Sequence, residues 1–382
     1  MAGGTAMFSF LMHVMNEFKL KKDKHSDALL EAIKSRPPGQ SLITVSNHCS
    51  PLDDPAVFIA MLPASVTLRP SLVRWTLCAQ EICFKKSAHE TLFGAAKVMP
   101  IARGQGVDQR MLLNFHRRSA AGGWCHIFPE GKCVQTGSLG GRRPGPSREK
   151  YGRLKWGVGK LIAHSSSPPT VIPIFHTGMS NVVPLHPSTR KIIHTVPRAG
   201  HCITARVGPA LVFDDLIEEH VRVHGALHKL SMPLEGTSER CMAEGGNRSR
   251  SNKNSNGGGL VQVGGNCHGG GDDFGVNIGD VFWKSSAAER RLYGAITSRV
   301  ELALLNLEHE ARLELGSEYP GIPPEVALLG TNVSHLIDPK GAIMYLMEYL
   351  LSTRQRLMNF FKLILLILHS VRLLQSSVGK RT

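Results

Sequence analysis

LITVSNHCSPLDDP, from Leu42 to Pro55, is the stretch that decides the fold of this chain. The run from Ser41 to Ser46 is apolar and β-branched, which predicts a short buried strand. A polar turn begins at Asn47-His48, and acidic residues followed by proline at Asp53-Asp54-Pro55 predict a helix start with an acidic cap. His48 is therefore expected on a strand-to-helix loop.

The same alternation recurs downstream of this stretch. Further strands are predicted at Lys97–Ile101, Trp124–Phe128, Val171–Phe175 and Ile203–Val207, and helices at Met111–Arg118 and Gly157–Ala163. Each strand leads into a polar or glycine-bearing loop. The pattern predicts an α/β domain with a mixed, largely parallel sheet flanked by helices, whose loops meet at one edge.

Composition divides the chain into five predicted segments. An N-terminal segment (1–24) is expected to associate with membranes, and the α/β domain follows (25–232) with an insertion at 135–150. A low-complexity insertion is predicted at 233–275, because its Gly, Asn and Ser content buries little apolar surface. An amphipathic helix is expected to return to the core within 276–316, and an extension with an apolar helix follows (317–382).

The charge balance favours an anionic partner. The 382 residues carry 45 Lys and Arg against 30 Asp and Glu, a formal charge of +15. No zinc finger, RNA-binding aromatic signature or leucine zipper accompanies this charge, so we expect an anionic membrane surface rather than nucleic acid. Met7–Met15 with the lysines after it could dip into a headgroup region or dock on the domain's own core. The sequence contains no run of about 18 uncharged apolar residues, so it predicts no membrane-spanning helix.

The spacing of the cysteines and the absence of phosphate-binding motifs limit the cofactors and metals expected for this chain. The eight cysteines are scattered without a CxxC pair, which predicts reduced thiols and no metal site. The sequence has no P-loop or GxGxxG motif, and we expect no cofactor.

His48 and Asp53 are the candidate catalytic pair. Acyl transfer to a hydroxyl needs a base near neutral pKa, and a carboxylate can hold the imidazole in the required tautomer. Four residues separate the two across a tight turn, which can bring the carboxylate to one ring nitrogen while the other faces substrate. Alone, HxxxxD is a weak signal.

Three further blocks supply candidate substrate-binding residues. Arg103-Gly104 follows a strand and is a plausible phosphate clamp. The loop Glu130-Gly131-Lys132 could hold a glycerophosphate headgroup, with Glu130 on a glycerol hydroxyl. Pro173 lies in an apolar run that could line an acyl-chain groove, or simply form a buried strand. Taken alone, the Arg103-Gly104 block is explained almost as well by a solvated surface arginine. The Glu130-Gly131-Lys132 block is explained almost as well by an ordinary turn.

These four blocks in this order resemble the glycerolipid acyltransferase superfamily. Within that superfamily the chain resembles tafazzin and its plant relative described as N-acylphosphatidylethanolamine synthase. The likeness runs through five stretches: LITVSNHCSPLDDP, RWTLCAQEICF at Arg74–Phe84, WCHIFPEGK at Trp124–Lys132, RLKWGVG at Arg153–Gly159 and IPIFHTGM at Ile172–Met179.

The resemblance implies a domain attached to one leaflet that moves acyl chains between phospholipids and lysophospholipids without acyl-CoA, with cardiolipin remodelling in mitochondria as the family's best-known role. It implies His48 and Asp53 as the catalytic pair, and Arg103, Glu130, Gly131 and Lys132 as the headgroup site. The long connection at Gln135–Lys150 departs from the family pattern. An acyl-CoA-dependent or N-acylating enzyme and a non-catalytic lipid-binding scaffold remain alternatives.

Overall fold

A seven-stranded sheet forms the centre of the protein in the computed structural model, which describes residues 2–85, 87–135, 138–141, 154–194, 196–228 and 284–320. The strands are β1 (Glu17–Leu20), β2 (Leu42–Ser46), β3 (Trp75–Ala79), β4 (Val98–Ile101), β5 (Trp124–Ile127), β6 (Thr170–Thr177) and β7 (Cys202–Val207). Their order across the sheet is β1-β7-β6-β2-β5-β3-β4. Every neighbouring pair is parallel except β6 and β7, which are antiparallel. The predicted mixed, largely parallel sheet is confirmed.

Helices cover both faces of this sheet. They are α1 (Ala2–Phe10), α2 (Lys24–Ser35), α3 (Asp53–Met61), α4 (Ala64–Thr67), α5 (Gln80–Cys83), α6 (Ser87–Ala95), α7 (Arg110–Ala120), α8 (Gly157–Ala163), α9 (Met179–Val182), α10 (Asp214–His224) and α11 (Ala287–Leu315). A π-helical turn (Leu11–Met15) continues α1, and short 3₁₀ turns lie at Pro70–Leu72, Leu139–Gly141 and Gly316–Glu318.

β2 lies in the middle of the sheet, and its alternating side chains serve both cores. Ile43 and Val45 belong to the core with α7, α8 and α11, whereas Leu42 belongs to the core with α2 and α3. All five residues of the strand are buried. A central parallel strand covered on both faces reads as a continuous apolar run, which is why the sequence identified β2 so readily.

The long helix α11 is the amphipathic helix expected near the end of the domain. It begins at a capping box, in which the Ser286 hydroxyl accepts from the Glu289 N–H and the Glu289 carboxylate accepts from the Ser286 N–H. Its buried stripe includes Leu292, Ile296 and Val300. At Gly159 of α8 a Cβ would lie 2.3 Å from the Tyr293 carbonyl oxygen, so only glycine permits this close helix approach.

Two strands were not predicted from the sequence. β1 is a four-residue edge strand whose side chains alternate between exposed and half-buried, and β3 is largely half-buried, so neither has a strong apolar signal. Because β1 pairs with β7, the sheet begins before residue 25, the boundary expected for the domain.

The N-terminal segment docks on the domain along one side. Leu11 and Met12 are buried in the core that contains α2 and α3, as the docking alternative requires, while Met7 on α1 is 59% exposed. Lys19 forms an ion pair with Glu17. No helix among the described residues is both long enough and apolar enough to cross a bilayer.

The prediction that all cysteines are reduced is wrong for one pair. Cys78 at the end of β3 forms a disulfide with Cys83, because the short helix α5 turns the chain back and leaves the two Cα atoms 6.1 Å apart. Most of the insertion at 135–150, all of the low-complexity insertion at 233–275 and the extension from 321 onward lie outside the described residues.

Candidate active site

The candidate residues lie at the edge of the sheet where its parallel strands end. The chain leaves β2 at Asn47-His48 and leaves the neighbouring β5 at Phe128-Pro129-Glu130. Because β2 and β5 are parallel, both loops emerge at the same edge, and the backbone bond from the Val134 N–H to the His48 carbonyl (2.6 Å) joins them.

His48 and Asp53 are in direct contact, as the turn between them allows. His48 Nδ1 is 2.9 Å from Asp53 Oδ2. Since a carboxylate only accepts hydrogen bonds, Nδ1 carries the proton and the neutral ring has its lone pair on Nε2. The Asp53 side chain is fully buried, whereas the His48 side chain keeps 20% of its surface exposed. The pair therefore has a fixed carboxylate and a ring that substrate can reach.

Asp53 is held by the turn and not by the helix that follows. Its Oδ2 also accepts from the backbone N–H groups of Cys49 (2.7 Å) and Ser50 (2.8 Å). The predicted acidic helix cap is absent, because the Asp53 carboxylate turns back toward His48 and the regular helix begins only after Asp54, whose backbone is extended. Three contacts on one oxygen hold the carboxylate in place as a positioning group for His48.

The Nε2 side of His48 faces a sulfur. Cys133 Sγ lies 3.2 Å from Nε2, and the imidazole stacks on Phe128 with ring centroids 4.1 Å apart. Burial opposes protonation of the ring, but the Cys133 sulfur and the Asp53 carboxylate outweigh it and raise the pKa of His48. Sequence reasoning did not single out Cys133, which comes directly after the Pro-Glu-Gly-Lys block.

Glu130 holds the His48 loop through hydrogen bonds to backbone. Its Oε1 accepts from the His48 N–H (2.7 Å) and its Oε2 accepts from the Gly140 N–H (3.0 Å). Burial raises the pKa of this carboxyl to about 8, against the opposing effect of the two N–H donors. Because both oxygens bond to backbone, the geometry gives Glu130 a positioning role instead of the contact with a glycerol hydroxyl expected from sequence.

The glycine and the lysine after Glu130 complete this loop. Gly131 adopts φ +66°, a left-handed conformation that closes the turn with a bond from its N–H to the Phe128 carbonyl (3.0 Å). Lys132 is exposed beside Cys133. The loop thus presents one cation at the rim of the His48 site.

Arg103 and Gly104 lie farther along the same edge. They follow β4, three strands from β2, which corresponds to roughly 14 Å at ordinary strand spacing. Arg103 is 46% exposed and forms an ion pair with Glu81 on α5. Around Gly104 no atom lies within 4 Å of an added Cβ, so the backbone there is open. The structure places Arg103 at the same edge of the sheet as His48, three strands away, and does not bring the two side chains together.

Pro173 occupies the centre of β6, opposite Val45 of β2. It is buried, and its carbonyl accepts from the Gly208 N–H (2.8 Å). This is the buried-strand alternative; the structure shows Pro173 as part of the sheet and not at an open groove.

Sequence reasoning missed a group of buried polar residues that brace the His48 turn. The Asn47 side chain exchanges two hydrogen bonds with the backbone of His176 on β6. Gln135 donates to the Cys49 carbonyl (2.7 Å) and accepts from the Leu185 N–H (2.8 Å). Burial lowers the pKa of His176, which keeps this ring neutral. A polar residue between an apolar strand and a turn, as at Asn47, was the available signal.

Three of these residues have side-chain atoms close enough to share a metal ion: Cys49, Asp53 and His176. Their atoms are already used, since Asp53 Oδ2 accepts three hydrogen bonds and His176 Nε2 lies 3.1 Å from the Asn47 carbonyl oxygen. Burial also raises the pKa of Cys49 well above its usual value, which favours the neutral thiol over the thiolate that a metal prefers. The cluster is a hydrogen-bond network, and we assign no metal to it.

Comparison with known proteins finds similarity to acyltransferases in the region that contains this site. Residues 28–177 match the sequence model of the acyltransferase family. The chain is 39% identical over 179 residues to N-acylphosphatidylethanolamine synthase of Arabidopsis thaliana, covering 47% of this chain and 59% of the relative. It is 34% identical over 191 residues to tafazzin of Drosophila melanogaster (50% and 46%) and 27% identical over 219 residues to tafazzin of Saccharomyces cerevisiae (49% and 55%). The chain thus spans about half the length of the curated relatives it matches.

Proposed function

We propose, from the match of residues 28–177 to the acyltransferase family model and the similarity to tafazzins, that the protein transfers acyl chains between phospholipids and lysophospholipids at a membrane surface. The observation that carries the proposal is the contact between His48 Nδ1 and Asp53 Oδ2, which leaves Nε2 as the basic atom at an accessible rim.

In the proposed reaction His48 acts as the base. Nε2 removes a proton from the attacking group while the Asp53 carboxylate stabilises the imidazolium that forms, an arrangement that typically contributes about 100- to 10,000-fold in rate. Glu130 and the turn donors keep His48 in place. Exchange of one ester for another is close to isoenergetic, so the reaction needs no nucleotide to drive it.

The headgroup site is proposed at the rim. Lys132, exposed beside the His48 loop, and Arg103, farther along the edge, supply positive charge for lipid phosphates. Around Gly104 the backbone is open to close approach, whereas the Lys155 side chain lies 3.3 Å from where a Cβ on Gly131 would be. Pro173 contributes through packing of the central sheet.

Membrane attachment is proposed through the exposed side of α1 and the excess of basic residues. Flotation with vesicles containing cardiolipin tests this: deletion of residues 1–10 should weaken binding, and unchanged binding would contradict it. Similarity to tafazzins leads us to propose cardiolipin remodelling at a mitochondrial membrane as the role in the cell.

The donor assay tests the reaction. Purified full-length protein is supplied with acyl-labelled phosphatidylcholine in one arm and labelled acyl-CoA in the other, each with lysophosphatidylcholine or monolysocardiolipin as acceptor. We expect label to move from phosphatidylcholine without CoA. Transfer from acyl-CoA alone would overturn the CoA-independent assignment, and no transfer in either arm would overturn the enzyme assignment.

A second candidate function is N-acylation of phosphatidylethanolamine, favoured by the 39% identity to the Arabidopsis thaliana synthase. The same base would then remove a proton from an amine instead of a hydroxyl. A third acceptor arm with phosphatidylethanolamine distinguishes the two, because the amide product resists mild alkaline hydrolysis whereas an ester does not.

A further inference from the structure

The sulfur beside His48 completes a three-residue arrangement. Asp53 Oδ2 contacts Nδ1 of the imidazole at 2.9 Å, and Cys133 Sγ lies against the opposite nitrogen, Nε2, at 3.2 Å. Carboxylate, imidazole and thiol in this order, each within hydrogen-bond reach of the next, are the geometry of an activated cysteine nucleophile.

Cys133 is held in this position by its own loop. The next residue, Val134, donates its N–H to the His48 carbonyl (2.6 Å), and the Cys133 carbonyl accepts from the Arg190 guanidinium (2.7 Å). The Cys133 side chain is half-buried, so it is neither sealed in the core nor free in solvent. Contact with Cys133 is therefore built into the His48 site.

Charge at this site favours a reactive sulfur. Burial lowers the pKa of His48, but the Cys133 sulfur and the Asp53 carboxylate outweigh it and raise the pKa, so the imidazole is a strong acceptor for the thiol proton. The neighbouring Cys49 differs, because burial raises the pKa of its thiol and it lies against the Asp53 carboxylate. Of these two cysteines only Cys133 is placed to react.

We propose that Cys133 is the nucleophile of the acyl transfer and carries the acyl chain as a thioester between donor and acceptor. This inference rests on the proposed function and specifies its chemical path. In place of direct attack by the acceptor hydroxyl on the donor ester, transfer takes place in two steps on the protein.

Both steps balance without an additional reactant. In the first, the sulfur attacks the ester carbonyl of the donor phospholipid, the thiol proton passes to His48 Nε2, and His48 returns it to the departing glycerol oxygen, which releases a lysophospholipid. In the second, the acceptor hydroxyl attacks the thioester carbonyl, its proton passes to Nε2 and then to the leaving sulfur. The product phospholipid departs and the free thiol is regenerated.

The test measures acylation of the protein directly. Full-length protein is incubated with phosphatidylcholine vesicles and no acceptor, quenched in acid and analysed by intact mass and peptide mapping. We expect an adduct of one acyl chain at Cys133 that hydroxylamine removes. The adduct should be absent in C133A and should remain in C202A, whose cysteine is exposed at the start of β7, two strands from β2.

The exchange assay with a lysophospholipid acceptor is the second readout. C133A should lose at least about 100-fold in exchange rate, and C133S should lose nearly as much because a serine hydroxyl is a weaker nucleophile. Circular dichroism and thermal melts of both variants show whether they remain folded. Because C133A and C133S differ in side-chain size and polarity, a loss of exchange in both folded variants is not explained by misfolding.

The outcomes separate this inference from the proposed function. Exchange by the wild type without any adduct, or exchange by C133A at the wild-type rate, overturns the thioester path and leaves the acyltransferase assignment intact. Absence of both adduct and exchange in the wild type overturns both. An adduct at Cys133 supports the thioester path whether or not exchange follows.

Discussion

The His48 loop and the Arg103 loop leave the same edge of one sheet, yet they are held very differently. His48 is held by contacts with Asp53, Glu130 and the Val134 N–H, and all three of these residues are buried. Arg103 is half-exposed and contacts the exposed carboxylate of Glu81. The comparison shows that the fold holds His48, the proposed base, through buried contacts and leaves Arg103, the proposed headgroup cation, at the surface.

This contrast predicts its largest effect at His48. Replacing His48 with Gln removes the base while keeping a polar side chain of similar reach, and we expect the rate of acyl exchange to fall by about 100- to 10,000-fold. His309→Gln, at an exposed position on α11, is the matched control and should exchange at the wild-type rate. A His48→Gln protein that still exchanges normally would indicate a lipid-binding scaffold.

A smaller loss is expected at Glu130, which touches only backbone. Glu130→Gln keeps one acceptor for the His48 and Gly140 N–H groups and loses the other, so the His48 loop should loosen and kcat should fall by roughly 10- to 100-fold. Glu218→Gln on the exposed side of α10 serves as control. Steady-state kinetics in mixed micelles would contradict the positioning role if kcat were unchanged and only KM rose.

Changes at the Arg103 loop should be modest and sensitive to salt. We expect Arg103→Gln to raise KM for an anionic phospholipid a few-fold with kcat unchanged, because an exposed cation contributes about 1 kcal/mol or less at a surface. The difference from wild type should shrink as ionic strength rises. The exposed Arg222→Gln on α10 is the control. A large loss in kcat would instead place Arg103 in the reaction.

The smallest expected effect concerns stability. Burial raises the pKa of Glu130 to about 8. The folded protein therefore keeps a proton that the unfolded chain has already lost, and stability from this group falls as pH rises from the unfolded value through about 8. Relative to Glu130→Gln, the wild-type Tm should decrease by a few degrees between about pH 5 and about pH 9. A constant difference in Tm across that range would contradict the raised pKa.

The sequence predicted the central strands and the His48–Asp53 contact because both are local. A buried parallel strand is a continuous apolar run, and four intervening residues bring the carboxylate back to the ring. β1 was not predicted, because an edge strand need not be a continuous apolar run. Glu130 contacts the His48 loop, but its bonds to backbone depend on the packing of two loops, which the sequence does not show.

Cys133 marks the limit of prediction from sequence. Its sulfur reaches His48 across 85 positions in the chain, and its place directly after the Pro-Glu-Gly-Lys block does not show where the side chain points. The same holds for the disulfide between Cys78 and Cys83, which forms only because α5 turns directly after β3. Contacts that depend on how two loops meet have no periodic signal in the sequence.

The joint action of His48 and Asp53 is tested most directly by exchange rates of His48→Gln, Asp53→Asn and the double variant, each verified as folded. If the carboxylate acts only through the imidazole, Asp53→Asn should lose roughly 100- to 10,000-fold, and the double variant should be no slower than His48→Gln by more than about threefold. Losses that multiply in the double variant, or an Asp53→Asn protein as active as wild type, would contradict a catalytic pair.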